Sequence, residues 1–320
     1  MLKSFYDLEP QLEEFGEAVD KGLSSENKSL PCKFFYDTRG SLLFDKICKL
    51  PEYYLTRTEI ALLNEIIPEF SCLTGNNLHL MEFGSGSSKK VKILLSGVQS
   101  IRKYTAIDIS RDHLRKSTTE LAKSFPKIQV TAIYADYTKP MKFPDTLNKS
   151  NEKCILFFPG SSIGNFSPTE AVNFLKRAIN LLKNTPGGLL IGVDLKKDEK
   201  ILKTAYNDSS NVTAAFNLNL LHRANRELGA NFKLSRFSHE AFYDQKQGRV
   251  EMYLISQTEQ TVLIGKKGYR FAVGEKIHTE NSYKYKISEF CALAKSAGLD
   301  LIKIWTDPKE LYSLHYYKIN

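Results

Sequence analysis

The sequence lacks the features that would assign it to several large protein classes. It has no block of five like charges. Its densest basic runs are the pairs Lys89-Lys90, Lys196-Lys197 and Lys266-Lys267. The formal net charge of +9 is therefore spread over the surface, and no basic arm marks a nucleic-acid partner. The five cysteines are odd in number, and no pair has C-x-x-C spacing. A disulfide framework and a zinc site are both disfavoured, and no metal is expected. No apolar run approaches the roughly 18 residues of a membrane span. The opening MLKSFYDLEP has no apolar core of the kind a secretory signal needs, so a cytoplasmic location with no membrane partner is expected. Internal repeats and low-complexity segments are also missing, and nothing in the chain calls for an obligate protein partner.

What remains is an ordinary globular composition, 42% hydrophobic and 25% charged, over 320 residues. That length suits one large domain or two. Residues 1–70 read as helices and loops. One helical pattern starts near Thr56, runs through Ile60, Leu63 and Ile67, and is expected to stop at Pro68.

Strands and helices then alternate. Leu78 to Phe83 is a short apolar run that stops at Gly84-Ser85-Gly86. Val91, Leu94, Leu95 and Val98 follow helical spacing. Tyr104 to Ile107 ends at Asp108, Leu114 and Leu121 mark a helix, and Ile128 to Ala135 ends at Asp136. Cys154 to Phe158 ends at Pro159-Gly160. Ser167, Pro168 and Glu170 form a capping box, with Pro at the first helical position. Pro186-Gly187-Gly188 is expected to end that helix, and Leu189 to Leu195 to form a further strand. Such alternation implies right-handed crossovers and a parallel sheet, the α/β, Rossmann-like class. Ligands in these sheets bind at the carboxyl ends of the strands.

Beyond Leu195 the pattern changes. Val250, Met252 and Leu254 alternate with Glu251 and Tyr253, as in a strand buried on one face. Thr261–Ile264 and Tyr269–Val273 flank Lys266-Lys267-Gly268, which reads as a hairpin turn. The expected organisation is a Rossmann-like domain with an N-terminal helical segment over 10–195 and a mixed α+β domain over 196–320.

Chemistry concentrates at the strand ends. In Glu82-Phe83-Gly84-Ser85-Gly86-Ser87-Ser88, glycines let the backbone turn sharply and approach a ligand. A dinucleotide fingerprint needs a third glycine where this chain has Lys89. The shorter acidic-x-Gly-x-Gly form resembles the first motif of class I S-adenosylmethionine (SAM) methyltransferases. An ordinary strand-to-helix turn would explain it if it stood alone. Asp108, 24 positions after Gly84, is placed to accept the hydroxyls of a ribose. Asp136-Tyr137 offers a carboxylate and a ring to an adenine. Either acid alone would read as a helix cap; three such features at successive strand ends favour a nucleoside cofactor. The next strand end has Phe158-Pro159-Gly160-Ser161-Ser162-Ile163-Gly164-Asn165, which excludes the Asn/Asp-Pro-Pro-Tyr/Phe motif of nucleobase and glutamine methyltransferases.

At this point a longer resemblance emerges. Phe35-Tyr36-Asp37, Gly40-Ser41, Phe44-Asp45, Leu50-Pro51-Glu52-Tyr53-Tyr54 and Thr56-Arg57 are similar to the start of the ergothioneine-pathway histidine Nα-methyltransferases. So are Phe158 to Asn165, Asp194-Leu195, Ala205-Tyr206, Asn225 to Ala230, Arg249 with Glu251-Met252, and Thr279-Glu280 with Ser282 and Lys284-Tyr285. The resemblance implies a Rossmann-like domain with an added domain that builds an amino-acid pocket. It implies SAM as cofactor, S-adenosylhomocysteine as product, and a small amino acid as the other partner. The implied reaction methylates the α-amine of free L-histidine, three times to hercynine. The alternative is the same chemistry on another amine, such as a tryptophan derivative.

The resemblance also implies roles. Tyr36, Gly84, Gly86, Lys90, Asp108, Asp136 and Tyr137 would hold the cofactor. Asn165 and Tyr206 would hold the substrate carboxylate, and Asn165 with Gly160 would orient the amine. Glu280 and Ser282 would read the imidazole with Tyr53 nearby, while Phe44, Ser162 and Met252 would complete the pocket. Catalysis would rest on Asn165 for positioning and on Tyr36, Tyr53 or water as proton relay. Tyr137 and Ser162 depart from the Phe and Thr usual in the family.

Overall fold

The computed structural model describes residues 2–9, 14–86, 88–143, 152–182 and 185–319; Ser87 of the glycine motif lies outside them. In chain order the strands are β1 (Ser4–Asp7), β2 (Leu78–Phe83), β3 (Ile101–Asp108), β4 (Gln129–Tyr134), β5 (Lys153–Phe158) and β6 (Gly187–Asp194). They continue with β7 (Phe237–Asp244), β8 (Arg249–Ser256), β9 (Gln260–Ile264), β10 (Lys267–Phe271), β11 (Lys276–Tyr283), β12 (Asp300–Thr306) and β13 (Tyr312–Ile319). The helices are α1 (Phe15–Ser24), α2 (Thr38–Ile47), α3 (Tyr54–Thr74), α4 (Lys89–Gly97) and α5 (Arg111–Ser124). After these come α6 (Pro168–Leu181), α7 (Glu199–Tyr206), α8 (Val212–Leu228) and α9 (Ile287–Ser296).

The chain divides into two compact units. One comprises Met1–Gln11, Leu55–Lys196 and Lys284–Asn320, the other Leu12–Tyr54 and Lys197–Tyr283. A single cut into 10–195 and 196–320 therefore does not describe the division. Residues 12–54 belong with the second unit and 284–320 with the first. The physical reason for the second exchange is hydrogen bonding: β13 pairs antiparallel with β6 from Tyr312↔Asp194 to Ile319↔Gly187.

The first unit holds an eight-stranded sheet in the order β1-β4-β3-β2-β5-β6-β13-β12. The pairs from β1 through β6 are parallel, and β13 and β12 are antiparallel. This is the expected mostly parallel, Rossmann-like arrangement. All residues of β2 are buried, as are Ile155, Leu156, Phe157 and Phe158 of β5. Strands covered on both faces read as near-continuous apolar runs, as the Cys154–Phe158 stretch of β5 does, whereas β2 carries His79 and Glu82 within its run. The strand order reverses beside β2, whose neighbours are β3 and β5, so the carboxyl ends of β2 and β5 flank the switch point.

Several local readings need correction. Residues 4–7 form a strand, held by parallel pairing to β4 that no local pattern announces. Pro68 lies inside α3 instead of ending it. Leu62, Leu63, Ile66 and Phe70 straddle it and are all buried. Burial of each contributes about 1.5–3 kcal/mol, against roughly 3 kcal/mol for an interior proline. Gly187 and Gly188 are part of β6, not the break before it. A Cβ on Gly188 would lie 2.7 Å from the Tyr317 carbonyl and 2.6 Å from the Tyr316 ring. Glycine there admits close approach of β13.

The second unit holds a three-stranded antiparallel sheet, β11-β8-β7, and the hairpin β9–β10. The hairpin turns at Gly265-Lys266, with Ile264 opposite Lys267 and φ +57° at Gly265. Lys267 and Gly268 are already strand. Asp37 caps α2, accepting from the Gly40 N–H at 2.7 Å. It also accepts from Asn219 at 2.8 Å and Arg226 at 2.6 Å. One carboxylate thereby ties the 32–47 segment to α8. No helix among the described residues is long and apolar enough to cross a membrane.

Candidate active site

In the first unit the chain leaves β2 through Gly84 and Gly86, at φ +68° and +42°. Side chains with a Cβ rarely adopt these conformations. The Gly84 N–H donates to Ile107 O at 2.9 Å, fixing the turn to the end of β3. A Cβ on Gly84 would lie 3.4 Å from the Tyr137 hydroxyl, so the glycine also keeps the backbone close to that ring. The Gly86 N–H points at Asp108 Oδ2 at 3.4 Å, and Ser110 N–H donates to Oδ1 at 2.8 Å. Burial raises the Asp108 carboxyl above its ordinary value, partly offset by these two bonds.

Asp136 accepts at Oδ1 from the Thr138 N–H at 3.0 Å and its hydroxyl at 2.5 Å. Its Oδ2 is buried without a hydrogen-bond partner among the described residues. A buried acceptor left open calls for a donor from outside the fold, and the exocyclic amine of an adenine is one. The Tyr137 ring stands 5.5 Å from Phe83 and 5.9 Å from Phe158. The glycine turn, the open carboxylate oxygen and the adjoining ring together fit an adenosine.

Glu82, the acid of the motif, is buried and accepts from the Tyr104 hydroxyl at 2.5 Å. Burial pushes its carboxyl up to about 8, with Lys90, Asp108 and Glu59 contributing to the local field. After β5 the chain turns at Gly160, φ +79°. The Gly160 N–H donates to both oxygens of Glu59, at 2.9 and 3.0 Å. Lys90 Nζ pairs with Glu59 Oε2 at 2.6 Å. Ser162 donates to Pro159 O at 3.0 Å. Asn165 closes the following tight turn, Ser162–Asn165, and is half-buried. Ser161 accepts from the Asp194 N–H at 2.9 Å, and Asp194 pairs with Lys284 at 2.7 Å, both fully buried.

In the second unit, four aromatic residues form a chain of ring contacts. Tyr36 lies 5.6 Å from Phe44, Phe44 6.3 Å from Tyr53, and Tyr53 6.2 Å from Tyr206, ring to ring. The Tyr206 and Ser282 hydroxyls are hydrogen-bonded at 2.8 Å. Glu280 opposes Met252 in the β11–β8 register. Burial raises the Tyr53 phenol well above its ordinary value; Tyr206 and Glu280 push the same way. Cys32 is pushed up to about 12 by burial, with Glu280 again adding to the field. His239 Nε2 bonds the Tyr206 carbonyl at 2.8 Å and its Nδ1 meets Asn217 Nδ2 at 2.9 Å. A carbonyl only accepts and an amide nitrogen only donates, so the ring carries its proton on Nε2.

The proposed residues thus fall into two sets. Gly84, Gly86, Lys90, Asp108, Asp136, Tyr137, Gly160, Ser162 and Asn165 belong to the first unit. Tyr36, Phe44, Tyr53, Tyr206, Met252, Glu280 and Ser282 belong to the second. Glu59 and His239 escaped the sequence reading. Glu59 did leave a signal: it falls at helical spacing with Leu62, Leu63, Ile66 and Phe70, an acid on an apolar face. His239 left none, because its partners are far away in sequence.

A family model described as histidine-specific, SAM-dependent methyltransferase matches residues 15–319. The chain belongs to that family. The family's cofactor is SAM, and the fold and reaction class follow: this is a SAM-dependent N-methyltransferase. Among its relatives is a histidine N-alpha-methyltransferase of Mycolicibacterium smegmatis, 38% identical over 91% of this chain and 90% of that protein. The ergothioneine biosynthesis protein 1 of Neurospora crassa is 33% identical over 90% of this chain, which spans 33% of that longer protein. The 4-dimethylallyltryptophan N-methyltransferase of Aspergillus fumigatus is 27% identical over 91% of this chain and 90% of that protein.

Proposed function

We propose that this enzyme methylates the α-amine of free L-histidine, three times, to give hercynine. The observation that carries the reading is the pairing of Glu280 with Met252 on β11 and β8, two residues before the Ser282–Tyr206 hydroxyl pair. A carboxylate is a charge-assisted acceptor for an imidazole N–H, and a methionine packs adaptably beside a flat ring. Similarity to the Mycolicibacterium histidine N-alpha-methyltransferase supports the same substrate.

Bound SAM supplies an electrophilic methyl on a sulfonium. In this reading Gly84, Gly86 and Lys90 hold the cofactor, Asp108 its ribose, and Asp136 and Tyr137 its adenine, with Tyr36 completing the set. Asn165 and Gly160 orient the amine, and Tyr206 holds the carboxylate. Phe44 and Ser162 are further substrate-binding residues in this reading. An amine reacts only through a free lone pair, so a proton must leave before each transfer. Tyr53 keeps its own proton at neutral pH, given its raised phenol. It serves as a neutral relay to water rather than as a phenolate base. Tyr36 is the second relay candidate. Positioning then contributes most of the acceleration.

A second reading, an indole-bearing amine, is favoured by the likeness to the Aspergillus tryptophan-derivative enzyme. Glu280 argues against it, because a carboxylate can also pair with a protonated imidazolium, a charge-assisted bond that an indole cannot offer. The test is a methylation assay across the free amino acids and 4-dimethylallyltryptophan, with mass detection of mono-, di- and trimethyl products. Trimethylhistidine as the main product supports the proposal. No turnover of histidine alongside turnover of an indole amine rejects it.

A further inference from the structure

We propose that Glu59 is a positioning residue for methyl transfer, the single carboxylate that fixes both the Gly160 turn and the Lys90 ammonium. The inference rests on the family's SAM-dependent chemistry and on the assignment of Gly160 and Lys90, not on the identity of the acceptor.

Glu59 has no exposed surface, while Lys90 keeps 21% of its side chain exposed. A buried carboxylate is costly unless paired and hydrogen-bonded. Here both oxygens are committed. They accept from the Gly160 N–H at 2.9 and 3.0 Å, and Oε2 also meets Lys90 Nζ at 2.6 Å. The surroundings are built around this carboxylate. A Cβ on Gly192 would sit 2.4 Å from Glu59 Oε1, and one on Gly160 would sit 3.1 Å from Lys90 Nζ. Both glycines leave the space the network occupies. Gly160 itself is in the left-handed region at φ +79°, a conformation that a strong acceptor on its N–H helps to hold.

The positioning follows from geometry. Lys90 sits in the first turn of α4, directly after the glycine motif. Gly160 opens the turn that leads to Asn165. The two segments come from different strand ends, after β2 and β5, and Glu59 reaches both from α3. One buried charge therefore sets where the Lys90 ammonium points and which way the Gly160 carbonyl faces.

The experiment uses the full chain and three variants: Glu59→Gln, Lys90→Met and the double variant. Glutamine still accepts from Gly160 but leaves Lys90 unpaired. The double variant removes both charges, so it folds even where the single change does not. SAM and S-adenosylhomocysteine affinities are measured by calorimetry, and kcat and KM with whichever acceptor the wild type turns over. Glu59→Gln is expected to weaken SAM binding by roughly tenfold or more and to lower kcat. The double variant should recover folding without recovering kcat. Wild-type SAM affinity and kcat in a folded Glu59→Gln or double variant would reduce Glu59 to a structural anchor and overturn the proposal. Because SAM affinity needs no acceptor, a wrong substrate assignment would leave this test intact.

Discussion

Glu280 faces Met252 across β11 and β8 because Thr279 is the extra residue of a bulge between His278 and Glu280. In unbroken register Glu280 would stand opposite Glu251, and like charges directly across a strand pair are destabilising. The bulge moves Glu280 one place along and re-aims its side chain. The Thr279 hydroxyl secures it by donating to Met252 O at 3.0 Å.

The first prediction follows from that pair. Glu280→Ala with Met252→Val removes the acceptor and opens space beside the ring. Transition-state binding of histidine should fall by roughly 2–4 kcal/mol, while a larger apolar ring such as tryptophan gains. The readout is kcat/KM for both amino acids on wild type and double variant, at one pH. Unchanged preference for histidine would remove these residues from side-chain recognition.

Asp108 ends β3 with both carboxylate oxygens held by backbone N–H groups. Asp108→Ala is expected to weaken SAM binding by about 1.5–3 kcal/mol, the worth of hydrogen bonds to a charged group. Calorimetry decides it: an unaltered Kd would mean that the ribose is held elsewhere.

Tyr206 and Ser282 share one hydrogen bond, at 2.8 Å, so their contributions should not add. Tyr206→Phe should raise the KM for histidine and leave the SAM Kd alone. Ser282→Ala should do the same, and the double variant should cost less than the sum. Strict additivity would show that the two hydroxyls act independently.

The buried acid of the glycine motif gives a pH prediction. The Glu82 carboxyl titrates near 8 in the folded protein against an ordinary 4.5, because burial disfavours its charge. The native state therefore keeps a proton that the unfolded chain releases between these values. The stabilisation is complete below pH 4.5 and is lost as pH rises through 8. Urea midpoints should decline across that window in wild type and decline less in Glu82→Gln. Parallel pH profiles for the two proteins would assign the dependence to other groups.

The sequence by itself determined the elements whose identity is local. A doubly buried strand such as β5 appears as a near-continuous apolar run. The capping box at Ser167 and Glu170 starts α6, as expected from its four residues. The glycines after Phe83 announced a turn with positive φ, and acids at successive strand ends pointed to a nucleoside. The long motif match supplied the family and proposed the residues of both sets.

Tertiary structure alone decided the rest, because it depends on partners distant in sequence. β1 exists through pairing with β4, and β13 through pairing with β6, so neither the first strand nor the true division of the chain could be read locally. Pro68 stays inside α3 because burial on both sides of it outweighs one missing N–H. The Thr279 bulge, which places Glu280 opposite Met252, is a property of two strands in register. Glu59 shows the limit most clearly. Periodicity marks it as an acid on an apolar face, but only the folded sheet brings Gly160 and Lys90 to it and makes its burial affordable.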